Sequence, residues 1–219
     1  TILRTADRVI AGNEYLADYC SSFVNDVVVI PTCIEPSDFA AKRQPTACHR
    51  LTVGWLGSSS TAHYVDSILP ALAEVQKDLG VRIVMIGSKG PDVIKRDSCV
   101  IERVPWSKAT ESSMLAALDV GIVPLHDTPW ERGKCAYKLL QYGAAGLAAV
   151  GSPVGVVGSI LKATGGPTAS TSVEWEAALR ELLSSETERY RNSRALRSYI
   201  LRHYSYDVWQ STWTQAIAS

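Results

Sequence analysis

Short apolar runs alternate along this chain with longer stretches in which apolar residues return every three or four positions. From residue 51 onward the alternation is regular. The run 51–56 is rich in β-branched and aromatic residues and predicts a buried strand. A small-residue loop, 57–61, follows it, then a helix over 61–79 with Gly80 as its stop signal. Further strands are predicted at 81–86, 99–104, 120–123 (closed by Pro124) and 147–150. The intervening helices are expected at 107–118, 133–145 and 154–163. Strands alternating with helices imply right-handed crossovers and a parallel sheet covered on both faces. The expected fold is therefore α/β, a doubly wound parallel sheet spanning about 51–168. Ligands of such sheets bind beyond the carboxyl ends of the strands, so the loops to inspect are 57–61, 87–90, 104–107 and 124–134.

The two ends read differently. Before the regular region, 9–11 and 27–30 are short strand candidates, and Asn13 offers an N-cap for a helix over 14–23. The stretch 32–50 contains Pro36 and Pro45 and is the best linker candidate. After the regular region, three helices are predicted in succession, at 173–183, 186–203 and 206–218. Trp175, Leu179 and Leu182 fall on one face of the first and are expected to be core. The pattern divides the chain into a small unit at 1–50 and a main domain at 51–219.

Composition narrows the function. The chain has 219 residues, enough to bury a core without metal or disulfide staples. Lys+Arg and Asp+Glu are equal at 22 each, which argues against general nucleic-acid binding but permits a local pocket for one anion. Cys20, Cys33, Cys48, Cys99 and Cys135 are scattered and odd in number, and are expected to be free thiols in a reducing compartment. No apolar run approaches the ~20 residues needed to span a bilayer. The opening residues hold Arg4, Asp7 and Arg8, unlike a signal peptide, so a cytoplasmic location, possible peripheral membrane attachment included, is expected. The chain opens on Thr1 rather than Met and is read as a fragment.

Candidate chemistry gathers in two places. The loop Gly57-Ser58-Ser59-Ser60-Thr61, between strand and helix, suits a phosphate; the plainer alternative is a tight turn capped by Ser60 or Thr61. It is neither GxGxxG nor a Walker loop. In 127–138, Lys134 and Lys138 are four apart and are expected to share the first turns of one helix. Cations at a helix N-terminus are unfavourable unless an anion compensates, so the pair points to an anion, against the alternative of two solvated lysines. Gln141 lies one turn further on, within reach of a ribose hydroxyl or simply exposed. Trp106 follows a strand at the ligand end and either flanks a nucleobase or is partly buried. His63 is read as a surface residue. Asp92, Asp97, Asp119 and Asp127 show no metal-ligand spacing.

These residues together resemble the carboxyl-terminal, donor-binding domain of group 1 (family 4) retaining glycosyltransferases of the GT-B fold. The match is carried by 6–16 and 29–34, by Val53-Gly54-Trp55-Leu56-Gly57-Ser58-Ser59-Ser60-Thr61, by 119–124 with 129–155, and by 173–175 with 189–205. Many relatives carry two glutamates across this signature; here the second falls at Gln141 and the first near Gly133, with Glu131 displaced. A subgroup reading RGKC…KLLQY, with lysines at the site, is more similar. It usually continues with Met and Pro where this chain has Gly143 and Ala148, and 156–159 lacks the expected polar residues.

The resemblance implies a nucleoside-diphosphate-sugar donor. Gly57, Ser58, Ser59 and Thr61, together with Gly133, Lys134, Cys135, Ala136 and Lys138, would then face the diphosphate. Val104 and Trp106 would hold the base and Gln141 the ribose, with Gly87 and Glu131 also in the donor site. It implies no cofactor and no essential metal. It further implies that 1–50 is the remnant of an amino-terminal domain plus a linker, that the catalytic residues lie mostly in that missing domain, and that the isolated chain transfers nothing. Two other readings stand beside it. One is a non-catalytic or degenerate nucleotide-sugar-binding module, suggested by Gly143, Ala148 and 156–159. The other is an unrelated dinucleotide-binding protein, disfavoured by the lack of GxGxxG. Base, sugar, acceptor and oligomeric state are left open.

Overall fold

The structure is a computed structural model and describes residues 2–39 and 50–218. Pro45 and Cys48, in the expected linker, lie outside the described residues. The elements in chain order are β1 (Val9–Ala11), α1 (Glu14–Ser21), β2 (Val27–Val29), β3 (Thr52–Leu56), α2 (His63–Asp66), α3 (Leu69–Leu79), β4 (Arg82–Ile86), β5 (Val93–Arg96), β6 (Cys99–Val104), α4 (Glu111–Ala116), β7 (Val120–Val123), α5 (Pro129–Arg132), α6 (Tyr137–Ala144), β8 (Ala148–Gly151), α7 (Gly155–Thr164), α8 (Ser172–Ser184), α9 (Glu186–His203) and α10 (Tyr206–Ala218).

The main sheet has six strands in the order β5-β6-β4-β3-β7-β8. All neighbours are parallel except β5, which pairs antiparallel with β6. From β3 the chain winds outward through β4 to β6, then returns to place β7 on the other side of β3. The doubly wound fold is therefore as expected, and its switch point lies between β3 and β7.

The strands bury both faces because their side chains alternate. Val53, Trp55, Ile83, Met85, Val120, Ile122 and Val150 join α3 and α8 in one core. Leu56, Val84, Ile86, Val123 and Ala149 join α4, α6, α7 and α9 in the other. Trp175, Leu179 and Leu182 are fully buried against α3, as the spacing predicted. Burying each leucine contributes ~1.5–3 kcal/mol.

Three expectations are corrected. The edge strand β5 was not read from the sequence: it enters through a tight turn at Asp97 and Ser98, both left-handed at φ 45° and 67°, which Asp-Ser signals far more weakly than Asn-Gly. The helix expected over 61–79 is two helices, broken at Ser67 and Ile68 ahead of Pro70. The helix expected over 133–145 begins only at Tyr137, because Ala136 is left-handed at φ 56° and interrupts the turn. Within the described part of 32–50, Ile34 exchanges backbone hydrogen bonds with Tyr204 and Tyr206, and Phe39 is buried.

At the amino end β1 and β2 form a two-stranded parallel sheet against α1. Asn13 caps α1 by accepting the Leu16 amide hydrogen at 2.9 Å. Arg8 pairs with Asp26 at 2.7 Å and donates to the Ala216 carbonyl at 3.1 Å, so the small sheet is tied to the last helix.

Candidate functional site

A cleft of about 490 Å³ opens at the switch point, within the range of small-molecule sites. It exists because β3 and β7 pair only at Val53↔Val120 and Gly54↔Gly121 and then part. The Leu56 amide is thereby left without a strand partner. It donates instead to the Tyr142 hydroxyl at 2.9 Å, and that hydroxyl donates on to the Ile122 carbonyl at 3.4 Å. Tyr142 is fully buried, and burial pushes its hydroxyl pKa well up. Gly121 makes room for its ring: a Cβ there would lie 2.5 Å from it.

One wall of the cleft is the loop after β3. Gly57, Ser58 and Thr61 line it, and Ser58 Oγ is 2.8 Å from Ser60 Oγ. Trp55 forms the floor beside Gly57. Ser59 does not line the cleft; its hydroxyl accepts the Lys89 amide hydrogen at 2.8 Å and ties this loop to the one after β4. That second loop contributes Gly87.

The opposite wall is the segment 134–138 and the start of α6. Lys134, Cys135, Ala136, Tyr137 and Lys138 all line it. No side chain caps α6, so the amide groups of its first turn carry no side-chain acceptor at the cleft. The expected shared helix face of Lys134 and Lys138 is corrected: only Lys138 is on the helix, and Lys134 precedes it. Both nonetheless reach the same cleft, because the left-handed Ala136 folds the chain back.

The two ammonium groups have different surroundings. Lys134 Nζ donates to the Tyr64 hydroxyl at 2.6 Å and stands 3.4 Å from Glu131 Oε1. The Tyr64 hydroxyl donates to Glu131, and so does the Thr128 hydroxyl. Burial pushes the Glu131 carboxyl up, but the Thr128 and Tyr64 hydrogen bonds and the Lys134 charge outweigh it and bring the pKa to about 2. Burial, with Glu131 adding, lifts Tyr64 to about 12. Lys138 has no carboxylate partner among the described residues; its Nζ stands 5.6 Å from the Trp55 ring centroid. Burial, and then Lys134, lower its pKa.

A third group closes the far end. Gln141 is buried rather than exposed, and its amide donates to Glu111 Oε1 at 2.8 Å. Trp106, half exposed, donates its indole N–H to the same oxygen at 2.8 Å. All three line the cleft.

Of the expected donor-site residues, Gly57, Ser58, Thr61, Gly87, Trp106, Lys134, Cys135, Ala136, Lys138 and Gln141 are brought together around the cleft. Ser59, Val104, Glu131 and Gly133 stand behind it. Val104 accepts the Gly87 amide hydrogen at 2.9 Å, Glu131 holds Tyr64 and Lys134, and Gly133 accepts from Asn13 at 3.1 Å. Tyr64, Glu111 and Asn13 were not read from the sequence as site residues. Tyr64 follows Thr61 by one helical turn, the only local signal it gave. His63 is exposed, as expected.

The departures from the resembled pattern fall mostly away from the cleft. A Cβ on Gly143 would meet Ile200 Cγ1 at 2.6 Å, so α9 packs where a side chain would be. Ala148 is buried in β8. Of 156–159, Val157 alone lines the cleft, as an apolar wall. Asp119 accepts the Thr52 amide hydrogen at 2.8 Å at the opposite end of the strands and is a structural residue. Among the described residues, no group of three or more His, Cys, Asp or Glu is placed to hold a metal ion, and no helix is long and apolar enough to cross a membrane.

No family model and no curated protein matches the sequence of this chain. Solved structures match its fold. Sucrose-phosphate synthase from Thermosynechococcus elongatus aligns at TM-score 0.78 and 14% identity, over 99% of this chain and 60% of that one. Anabaena HepE, in complex with UDP and glucose, aligns at TM-score 0.74 and 13% identity, over 98% of this chain and 63% of its own. A UDP-forming α,α-trehalose-phosphate synthase from Burkholderia xenovorans aligns at TM-score 0.72 and 14% identity, over 99% and 62%. At these identities the likeness is one of fold, and the chain spans less than two thirds of each neighbour's length.

Proposed function

We propose that this chain is the donor-binding domain of a retaining, GT-B-type glycosyltransferase and holds a nucleoside-diphosphate sugar in the cleft between β3 and β7. The observation that carries this reading is Lys138. Its ammonium is half-buried, faces the cleft beside a second cation, and has no carboxylate partner among the described residues. Glu131 offsets Lys134, but Lys138 beside it at an uncapped helix N-terminus is unfavourable until an anion joins it. A diphosphate satisfies both, and the apolar and aromatic remainder of the cleft suits a nucleoside. The neighbour in complex with UDP and the UDP-forming neighbour support a nucleoside diphosphate.

In this reading Lys138, Lys134 and the first-turn amides of α6 bind the diphosphate and stabilise the charge that develops on it as the bond to the sugar breaks. That stabilisation needs no metal. The sugar passes to an acceptor bound by an amino-terminal domain, of which 1–50 holds the last elements, and the isolated chain transfers nothing. Its place is the cytoplasm, where such donors are found. The reading of a degenerate, non-catalytic module draws no support from Gly143 and Ala148, which serve packing rather than the cleft, and rests on the apolar Val157 in the cleft wall.

Calorimetric titration with UDP, GDP, ADP and NAD tests the proposal. One nucleoside diphosphate should bind, with affinity falling about tenfold to a hundredfold in Lys138→Ala, the span expected for a lost charge-assisted contact. Binding of NAD instead, or of no nucleotide, overturns it.

A further inference from the structure

The far end of the cleft holds a carboxylate with one oxygen that accepts two hydrogen bonds and one that accepts none among the described residues. Glu111, the first residue of α4, is 5% exposed. Its Oε1 accepts two hydrogen bonds, from Trp106 Nε1 and Gln141 Nε2, each at 2.8 Å. Its Oε2 accepts none among the described residues; Lys108 Nζ, itself mostly exposed, stands 3.6 Å away, an ion-pair distance beyond hydrogen-bond range. That oxygen is not among the buried side-chain atoms left without a partner, so it still meets solvent and is open to a new donor. Glu111 lines the cleft, so a ligand in the cleft can supply the donor.

Position selects which part of a nucleotide that is. Gln141 stands three residues beyond Lys138 on α6, a rise of about 4.5 Å. A diphosphate at Lys138 therefore places the next unit of the ligand, the pentose, against Gln141 and Glu111. The base falls beyond it, towards Trp106 and Gly87. A carboxylate oxygen accepts but cannot donate, and a ribose presents two adjacent hydroxyls that donate. The amide of Gln141 is already committed to Glu111, so Gln141 alone gives such a pair a weaker acceptor.

We propose that Glu111 is the residue that receives the ribose, its Oε2 accepting from the 2′ and 3′ hydroxyls, while its Oε1 orients Gln141 and Trp106 around the nucleoside. The inference rests on the nucleotide-binding reading above and deepens it: the cleft selects ribonucleotides over deoxyribonucleotides through a side chain on α4, an element remote in sequence from the lysines. Trp106 is a positioning residue in this arrangement, its ring fixed by the hydrogen bond to Glu111.

The test uses UDP, GDP and ADP, the 2′-deoxy form of whichever binds, and inorganic pyrophosphate. The unmodified chain should bind the ribonucleotide about tenfold or more tighter than its 2′-deoxy form, the range for a hydrogen bond to a charged group. In Glu111→Gln that gap should shrink to about threefold or less, while pyrophosphate, which has no ribose, binds both proteins alike. A merely structural role for Glu111 would weaken pyrophosphate as well, and that outcome overturns the proposal. So does an unmodified chain that binds ribo and deoxy forms equally, a gap that survives in Glu111→Gln, or a loss in Glu111→Gln that is equal for both forms of one base, which would assign the carboxylate to the base. If none of the three nucleotides binds, the nucleotide reading itself falls and this inference with it.

Discussion

Asn13 donates its side-chain amide to the Gly133 carbonyl at 3.1 Å, joining the end of the small sheet to the loop that carries Lys134. The same amide lies 3.4 Å from the Lys134 carbonyl, while the Asn13 side-chain oxygen caps α1. Gly12 beside it has no room for a side chain, since a Cβ would lie 2.5 Å from Cys135 Sγ. The turn between β1 and α1 therefore holds one wall of the cleft. Asn13→Asp keeps the cap but sets a carboxylate against two carbonyl oxygens. It should lower diphosphate affinity several-fold. Asn13→Ala loses cap and loop bonds together and should cost about 1–2 kcal/mol in stability. Denaturant titration and calorimetry on the two variants separate the effects.

The Tyr142 hydroxyl is what allows β3 and β7 to part. Tyr142→Phe leaves the ring in place but strands the Leu56 amide hydrogen in a dry interior. The expected loss is about 1–3 kcal/mol. Gly121→Ala presses a methyl group into the same ring and should cost a similar amount by overpacking. The two residues touch, so the double variant should cost less than the sum. Urea unfolding of the three proteins checks this.

Periodicity made the sheet and its helices legible, because alternation on the strands and a 3.6-residue period on α3, α8 and α9 each write directly onto the hydrophobic pattern. Gly80 signalled its helix end, and it is left-handed in the structure at φ 64°. Ala136 did not, because nothing in an alanine announces a positive φ, and the placement of Lys134 was misread as a result. Gln141 was noticed, but its partner was not. Glu111 lies thirty residues earlier, on another element, and only the packing of α4 beside α6 brings them together. Tyr64 was hidden for the same reason, since its meaning depends on Glu131 and Lys134 across the switch point.

The Glu131 carboxyl predicts an acid dependence of stability. Its pKa of about 2 lies below the ordinary 4.5. A group whose pKa is depressed on folding stabilises the fold fully above its unfolded value and loses that contribution as pH falls through its folded value. The loss should therefore run from about pH 4.5 down to about 2. Glu131→Gln should flatten the melting temperature across that window, and Tyr64→Phe should flatten it in part by removing one donor. Equal slopes in all three proteins would count against the assignment.

Lys138 makes the opposite kind of prediction, on binding. Its pKa is lowered from 10.5 by burial and by Lys134. A bound diphosphate brings negative charge to the ammonium and raises that pKa again. Binding should then take up a proton wherever the free protein has lost one, and affinity should fall as pH rises through the lowered pKa, before 10.5 is reached. Lys138→Arg keeps its charge throughout, so its affinity should stay level over the same range, although the longer guanidinium crowds the Trp55 ring. Titrating the nucleotide that binds at several values from about pH 7 to about pH 10 decides the matter. A fall in the unmodified chain that Lys138→Arg abolishes places the ammonium on the anion. A fall that persists in Lys138→Arg would transfer the titration to another group and leave Lys138 without the role that the cleft geometry gives it.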